Sequence, residues 1–197
     1  ILFNKTKEVL IQYPIGKVQT TYTIPDNTKI ISNGAFEYST LESIVITDTI
    51  ETIQNYAFSN NEKLNEVKYI YDKEPNECGI DVFRNTPLLD KIKVPKNYEK
   101  ETFCGKEVSK ELSVGRCGQN VRWIIENRTL EIYGNGEIND YSESPFLNYT
   151  NEISTIVIEE GITTIGNNLF NGITQVNEMY IPKSVVKIGE HSFDNMN

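Results

Sequence analysis

A repeat of 22 to 23 residues runs through the chain, and self-similarity at a fixed period of this length is the signature of stacked supersecondary units. Ile24, Ile31, Ala35 and Phe36 recur as Ile46, Ile53, Ala57 and Phe58, each displaced by 22 positions. Further on, Ile158, Ile165 and Phe170 recur as Ile181, Ile188 and Phe193, each displaced by 23. A stretched unit, Tyr69 to Phe83, closes the first series and leads to Ile92 and Val94-Pro95. Between the phenylalanines lies a second pattern, apolar-x-x-apolar-x-apolar, at Leu41/Ile44/Ile46, Leu64/Val67/Tyr69, Leu89/Ile92/Val94, Ile153/Ile156/Ile158 and Val176/Met179/Ile181. It reads as a buried entry residue followed by a short strand of period two. One coil of this length accommodates a strand, a turn, a second short extended piece and a return. Stacked coils then pair their strands in parallel about 4.8 Å apart. The phenylalanine, and the isoleucine five positions before it, are expected to fill each level, with Asn33-Gly34 and Asn171-Gly172 turning corners.

Composition supports this reading. There are 25 Ile and 13 Val but only 2 Ala, so β-branched residues dominate and the best helix former is nearly missing. The 22 Asn and 12 Gly supply the left-handed backbone that many tight turns require. At 197 residues the chain is long enough to bury a core without disulfide staples. The fold class expected is mainly β: a solenoid of short parallel strands with few helical turns.

These anchors resemble the leucine-rich repeats of the Treponema pallidum type found in BspA-like surface proteins, whose unit reads L-x-x-I-x-I-P-x-x-V-x-x-I-G-x-x-A-F. Met179, Ile181-Pro182, Val185, Ile188-Gly189 and Phe193 follow it nearly letter for letter, and Ile158, Ile162 and Ile165-Gly166 are as close. Leu2-Phe3-Asn4-Lys5 through Leu10-Ile11-Gln12-Tyr13-Pro14 resembles a hairpin decoration of such arrays. Cys117-Gly118 through Ile132-Tyr133-Gly134 resembles the non-repeat cap that precedes a fresh block. Thr47 where proline is usual, the stretched third unit and Leu169-Phe170 in place of Ala-Phe depart from the pattern without cancelling it. The resemblance implies a leucine-rich-repeat fold, display at the cell surface, and adhesion to host tissue, matrix protein or other microbes.

Two repeat blocks separated by a β-hairpin cap are expected. Residues 1–101 form the last coils of one array. Residues 102–150 comprise a charged linker, at 102–112, and a hairpin turning at Asn127-Arg128 with Trp123 covering the next coil. Residues 151–197 open a second array, and the stop just after Phe193 suggests a segment of a longer repeat protein.

Charge and motifs narrow the function. Nineteen basic against 28 acidic residues give a net charge of −9, which repels a phosphate backbone, so nucleic acid is not an expected partner. No apolar run exceeds three residues, so this segment is not expected to insert in a membrane. The one histidine, His191, falls at the variable turn position occupied by Gly34, Tyr56, Asp81 and Asn168 in other coils, without an oriented partner for catalysis. With no second histidine and no Cys-x-x-Cys there is no zinc site, and Gly134-Asn-Gly136 reads as a hairpin turn rather than a phosphate loop. No cofactor is expected. Cys78 takes the buried isoleucine position of its coil and could serve there as a small hydrophobe, or could bridge to Cys104, leaving Cys117 over. Sequons at Asn4, Asn127 and Asn148 are possible glycosylation sites, about as many as chance would supply.

The first reading is therefore a non-enzymatic, extracellular, cell-surface binding module whose partner is a protein or glycan on host cell, matrix or another microbe, because a solenoid offers a long surface that varies without disturbing its core. A structural spacer or self-assembling repeat element is the alternative. A glycan hydrolase with an unrecognised carboxylate pair is third, with Asp140 and Glu159-Glu160 as turn carboxylates that nothing pairs. Candidate ligand-binding residues on outward strand positions are Lys68, Lys91, Lys93, Glu66, Glu178 and Tyr180. Lys68 is expected beside Lys91 or Lys93, making a positive spot on an acidic molecule, although lysines on a strand also serve to block edge pairing.

Overall fold

The computed structural model describes residues 1–196. Strands hold 35% of the chain and helix only 3%, and the architecture is a mainly β leucine-rich-repeat solenoid. The chain divides into two compact units, Ile1–Glu111 and Leu112–Asn197.

In the first unit each coil places one short strand on each of two sheets. β1 (Leu2–Phe3) and β2 (Val9–Gln12) form an antiparallel opening hairpin, and β3 (Thr21–Thr23) and β4 (Ile30–Ile31) follow. Then come β5 (Ser43–Ile46), β6 (Thr52–Ile53), β7 (Glu66–Tyr69), β8 (Glu77–Cys78), β9 (Ile92–Pro95) and β10 (Thr102–Phe103). β3, β5, β7 and β9 pair in parallel, with Ile44 opposite Val67 and Lys68 opposite Lys93. β2, β4, β6 and β8 form the second parallel ladder, with Ile31 opposite Ile53 and Ile53 opposite Cys78.

The side chains between the two ladders form the core expected from the repeat. Phe36, Phe58 and Phe83 stack with centroids 4.9 and 5.3 Å apart and rings nearly parallel. Ile31 and Ile53 are fully buried among them. Two aromatic residues outside the repeat pattern extend this column. Tyr13 stacks on Phe36 at 5.3 Å, and Phe103 lies 6.1 Å from Phe83. Inside one turn a polar side chain secures the backbone of its own and the preceding coil: Asn61 donates to the carbonyls of Phe36 and Phe58, and accepts from the Ser39 hydroxyl at 2.6 Å. Such buried donors are tolerated because they are satisfied.

Residues 102–112 are not the linker that their charges suggested. β10 pairs antiparallel with the start of β11 (Lys106–Gly118) through a turn at Cys104 and Gly105, both with positive φ, and Phe103 is fully buried. The lost period reflects a change of strand direction rather than a loss of structure. The chain passes from the first unit to the second within β11.

The second unit opens with an antiparallel meander of β11, β12 (Val121–Glu126) and β13 (Thr129–Gly134). The hairpin turns at Asn127-Arg128, whose φ values of 49° and 63° give the twist that closes a two-residue loop. Trp123 packs edge-on against Phe146 at 5.4 Å, and Gly115 lies opposite it because any Cβ there would stand 2.7 Å from the indole. Beyond the hairpin are β14 (Gly136–Glu137), a 3₁₀ turn at Leu147–Glu152, β15 (Thr155–Ile158), β16 (Ile162–Ile165), β17 (Glu178–Tyr180) and β18 (Lys187–Ile188). β13, β15 and β17 pair in parallel, as do β14, β16 and β18. The repeat thus resumes at β13, one coil before Ile153, with Phe146 stacking on Phe170 at 6.0 Å. At the last described level the expected core loosens: Phe193 stacks on Phe170 at 5.7 Å but is half-buried, and Ile188 is 53% exposed.

Candidate functional site

The sheet of the first unit carries the one set of predicted binding residues that the fold brings together. Strand alternation turns Ile44, Val67 and Ile92 inward and Ser43, Glu66, Lys68 and Lys93 outward. Parallel register then aligns the outward positions, with Ser43 opposite Glu66 and Lys68 opposite Lys93. The Ser43 hydroxyl donates to Glu66 at 2.8 Å, Lys93 reaches Glu66 at 3.0 Å, and Lys68 reaches it at 3.4 Å. Glu107 and Glu111 of β11 add a further rank of acids, 3.8 Å from Lys91 and 3.4 Å from Lys93 respectively.

Lys68, Lys91 and Lys93 therefore stand together without making a positive spot, because each has a carboxylate partner. Repeat periodicity could not show this. Glu107 and Glu111 lie outside the period, in the charged stretch 102–112 that the repeat does not reach. Burial would raise the Glu66 carboxyl, but hydrogen bonds from Lys93 and Ser43 and the charges of Lys68 and Lys93 outweigh it and hold the group below the usual carboxylate range. The result is a row of alternating charge, Ser43–Glu66–Lys93–Glu111, fixed in position by its own contacts.

Glu178 and Tyr180 lie on β17 in the other unit, both exposed, with the Tyr180 hydroxyl donating to Glu178 at 3.2 Å. Of the sequon asparagines, Asn4 has its amide engaged in the opening turn, accepting from Val9 N–H and donating to Thr6, both at 3.0 Å. Asn127 sits exposed at the hairpin tip and Asn148 exposed in the 3₁₀ turn.

Cys78 and Cys104 form a disulfide that ties the β10–β11 turn to the coil below. Glu74 beside it accepts from Cys104 N–H at 2.7 Å and pairs with Lys100. These two sulfurs and the Glu74 carboxylate lie together, but sulfurs bonded to each other cannot ligate a metal as thiolates. The third cysteine, Cys117, is a buried free thiol whose pKa burial pushes up to about 12, so it is inert as a nucleophile. His191 is exposed, and the hydrogen bond and charge of Asp194 raise its pKa above the usual value.

The turns hold a pattern that the sequence showed only in part. The position two before each phenylalanine, Gly34, Tyr56, Asp81, Asn168 and His191, is left-handed in all five coils, with φ between 53° and 57°. A second left-handed column, two after each phenylalanine, runs Tyr38, Asn60, Asn85, Gly172 and Asn195. In the first unit this second column borders a groove of about 620 Å³ lined by Tyr38, Asn60, Asn85, Glu62, Lys63 and Pro87, among others.

The whole-chain comparison agrees with this geometry. Residues 17–107 and 128–197 match the BspA type leucine rich repeat region in six copies. The chain belongs to the BspA-type leucine-rich repeat family. No curated protein matches it. Among solved structures, a leucine-rich repeat protein from Eubacterium ventriosum is 22% identical over 44% of this chain and 24% of its own, with a TM-score of 0.42. A leucine rich cell surface protein from Faecalibacterium prausnitzii is 18% identical over 86% of this chain and 37% of its own, at 0.35. The pneumococcal vaccine antigen PcpA is 16% identical over 96% of this chain and 64% of its own, at 0.29. The BspA-type chain described here thus spans less than two thirds of the length of each. No helix among its described residues is long and apolar enough to cross a membrane.

Proposed function

We propose that this BspA-type chain is a non-enzymatic binding module of an extracellular, surface-displayed protein, holding a host protein, matrix or glycan partner through its repeat surface. The observation that carries the reading is the row Ser43–Glu66–Lys93–Glu111. Its charges are held by neighbours across four strands, so little side-chain entropy is lost when a partner docks, and the alternating sign favours one register of a complementary surface.

The test is adhesion of cells displaying the full protein to immobilised matrix proteins and glycans at two salt concentrations. Adhesion above that of an unrelated displayed solenoid is expected, falling at least threefold for Lys93→Glu and weakening as salt rises. Adhesion no better than the control would overturn the reading, and adhesion indifferent to both Lys93→Glu and salt would move the contact off this face.

A further inference from the structure

The left-handed column two residues after each phenylalanine is filled by Asn60, Asn85, Gly172 and Asn195, the residue types that adopt this backbone at least cost. Tyr38 breaks the rule. Its φ of 58° is unusual for a bulky side chain, a conformation shared by Tyr56 of the other column, but Tyr56 is half-buried, whereas among the described residues the Tyr38 ring stacks on nothing and its hydroxyl has no hydrogen-bond partner. It is 58% exposed. Backbone strain spent on displaying an aromatic face calls for an explanation other than folding.

The surroundings supply one. Coil stacking brings Asn60 and Asn85 into the same column, and they form a hydrogen-bonded chain: Asn85 Nδ2 donates to Asn60 Oδ1 at 2.7 Å, and Asn60 Nδ2 donates to Glu37 at 2.8 Å. Each amide is thereby fixed in orientation. Asn85 Oδ1 and its second N–H accept and donate to no other described residue, so a donor and an acceptor sit side by side on a rigid frame. Glu62 and Lys63, both exposed, add one acid and one base to the same groove of about 620 Å³. A flat ring, an oriented amide and balanced charges match the chemistry of a neutral sugar. Its C–H face packs on the aromatic ring, and its adjacent hydroxyls each need a donor and an acceptor.

We infer that this groove, with Tyr38 as the stacking platform and Asn85 as the hydroxyl-reading group, binds a neutral oligosaccharide. The inference rests on the binding-module reading but uses a different face from the charged row, and the two fail separately.

The probe is a printed array of neutral, sialylated and sulfated oligosaccharides, read with the full chain and its variants. Wild type should retain a subset of the neutral glycans. Tyr38→Phe should retain them too, since the ring is kept. Tyr38→Asn should lose at least about tenfold in affinity, while its melting temperature rises by a few degrees as the strain is relieved. Opposite signs for binding and stability are what a merely structural tyrosine could not give. Asn85→Ala should weaken the same glycans. Retention of no neutral glycan, binding of only sialylated or sulfated ones, or full binding by Tyr38→Asn would each overturn the inference. If matrix adhesion through the charged row persisted under any of these, the binding-module reading would still stand.

Discussion

A coil that matches the family pattern nearly letter for letter is the least buried among the described residues, and one that departs from it sits deep in the core. Met179 to Phe193 follows the consensus nearly letter for letter, yet Ile188 is 53% exposed and Phe193 half-buried. Ile53 and Phe58, in a coil with Thr47 in place of proline, are 0% and 1% exposed. The motif sets where a side chain points, and the neighbouring coil sets whether water is excluded. In the first unit Tyr13 and Phe103 cover the two ends of the phenylalanine column. In the second unit Trp123 and Phe146 cover the first end, and Phe193 and Met196 pack, partly buried, at the last described level. A repeat protein's stability is a sum over interfaces, so the same substitution should cost very different amounts at the two positions.

The sharpest test of that contrast is alanine at equivalent anchors. Phe58→Ala should cost about 3–5 kcal/mol in urea unfolding followed by far-UV circular dichroism. Phe193→Ala should cost less than about 1.5 kcal/mol, read through the fluorescence of Trp123, the only tryptophan. Equal costs would mean that the motif, and not the neighbour, governs burial.

Next in size is the disulfide, which only the first unit possesses. It closes a loop of 26 residues in sequence separation, and Cys78→Ser with Cys104→Ser should lower stability by about 3 kcal/mol. A mild reductant should do the same to the wild type. No change in the urea midpoint would show that the β10–β11 turn is held by Phe103 and Glu74 alone.

A smaller effect separates individual coils at the residue following each buried anchor. Ser32 and Gln54 stand there in two coils of the first unit, whereas Gly79 of the same unit and Gly166 of the second stand where any Cβ would clash with the backbone of Asn55 and Asn139 respectively. Gly166→Ala should cost about 2 kcal/mol, whereas Gln54→Ala should cost under about 1 kcal/mol. Similar values at both sites would mean that the tight backbone approach relaxes freely.

The smallest expected effect is electrostatic. The Glu66 carboxyl is held below its unfolded pKa, so it contributes stability above that unfolded value, and the contribution is lost as pH falls through the depressed folded value. Glu66→Gln should therefore destabilise by about 1 kcal/mol at neutral pH and converge with wild type in acid. A difference that persisted in acid would be packing rather than charge.

Much of the fold was legible. The spacing of Phe36, Phe58, Phe170 and their isoleucines marked the interior column, and Asn127-Arg128 marked the hairpin. Tyr13 and Phe146 were legible in principle, since each precedes the next phenylalanine anchor by about one repeat length, but Tyr13 directly follows the opening hairpin and Phe146 precedes a 3₁₀ turn, and neither segment carries the flanking strand pattern. Phe103 had no such signal, because β10 reverses direction and leaves the period. The site was less legible than the fold. Lys68 and Lys93 were placed side by side by register alone, and Glu66 of the repeat pairs with both, whereas the acids that pair Lys91 and add to Lys93, Glu107 and Glu111, come from a strand with no repeat counterpart.

The sequence by itself determined the family, the coil length and the residues of the aromatic column, because these follow from a chain meeting its own copy at a fixed separation. Only the tertiary structure decided which anchors are dry, which lysines are paired, which cysteines meet and which turn displays a strained tyrosine. Those depend on what lies beside a residue in space, and at the ends and edges of a solenoid the neighbour is not a repeat of the residue's own coil.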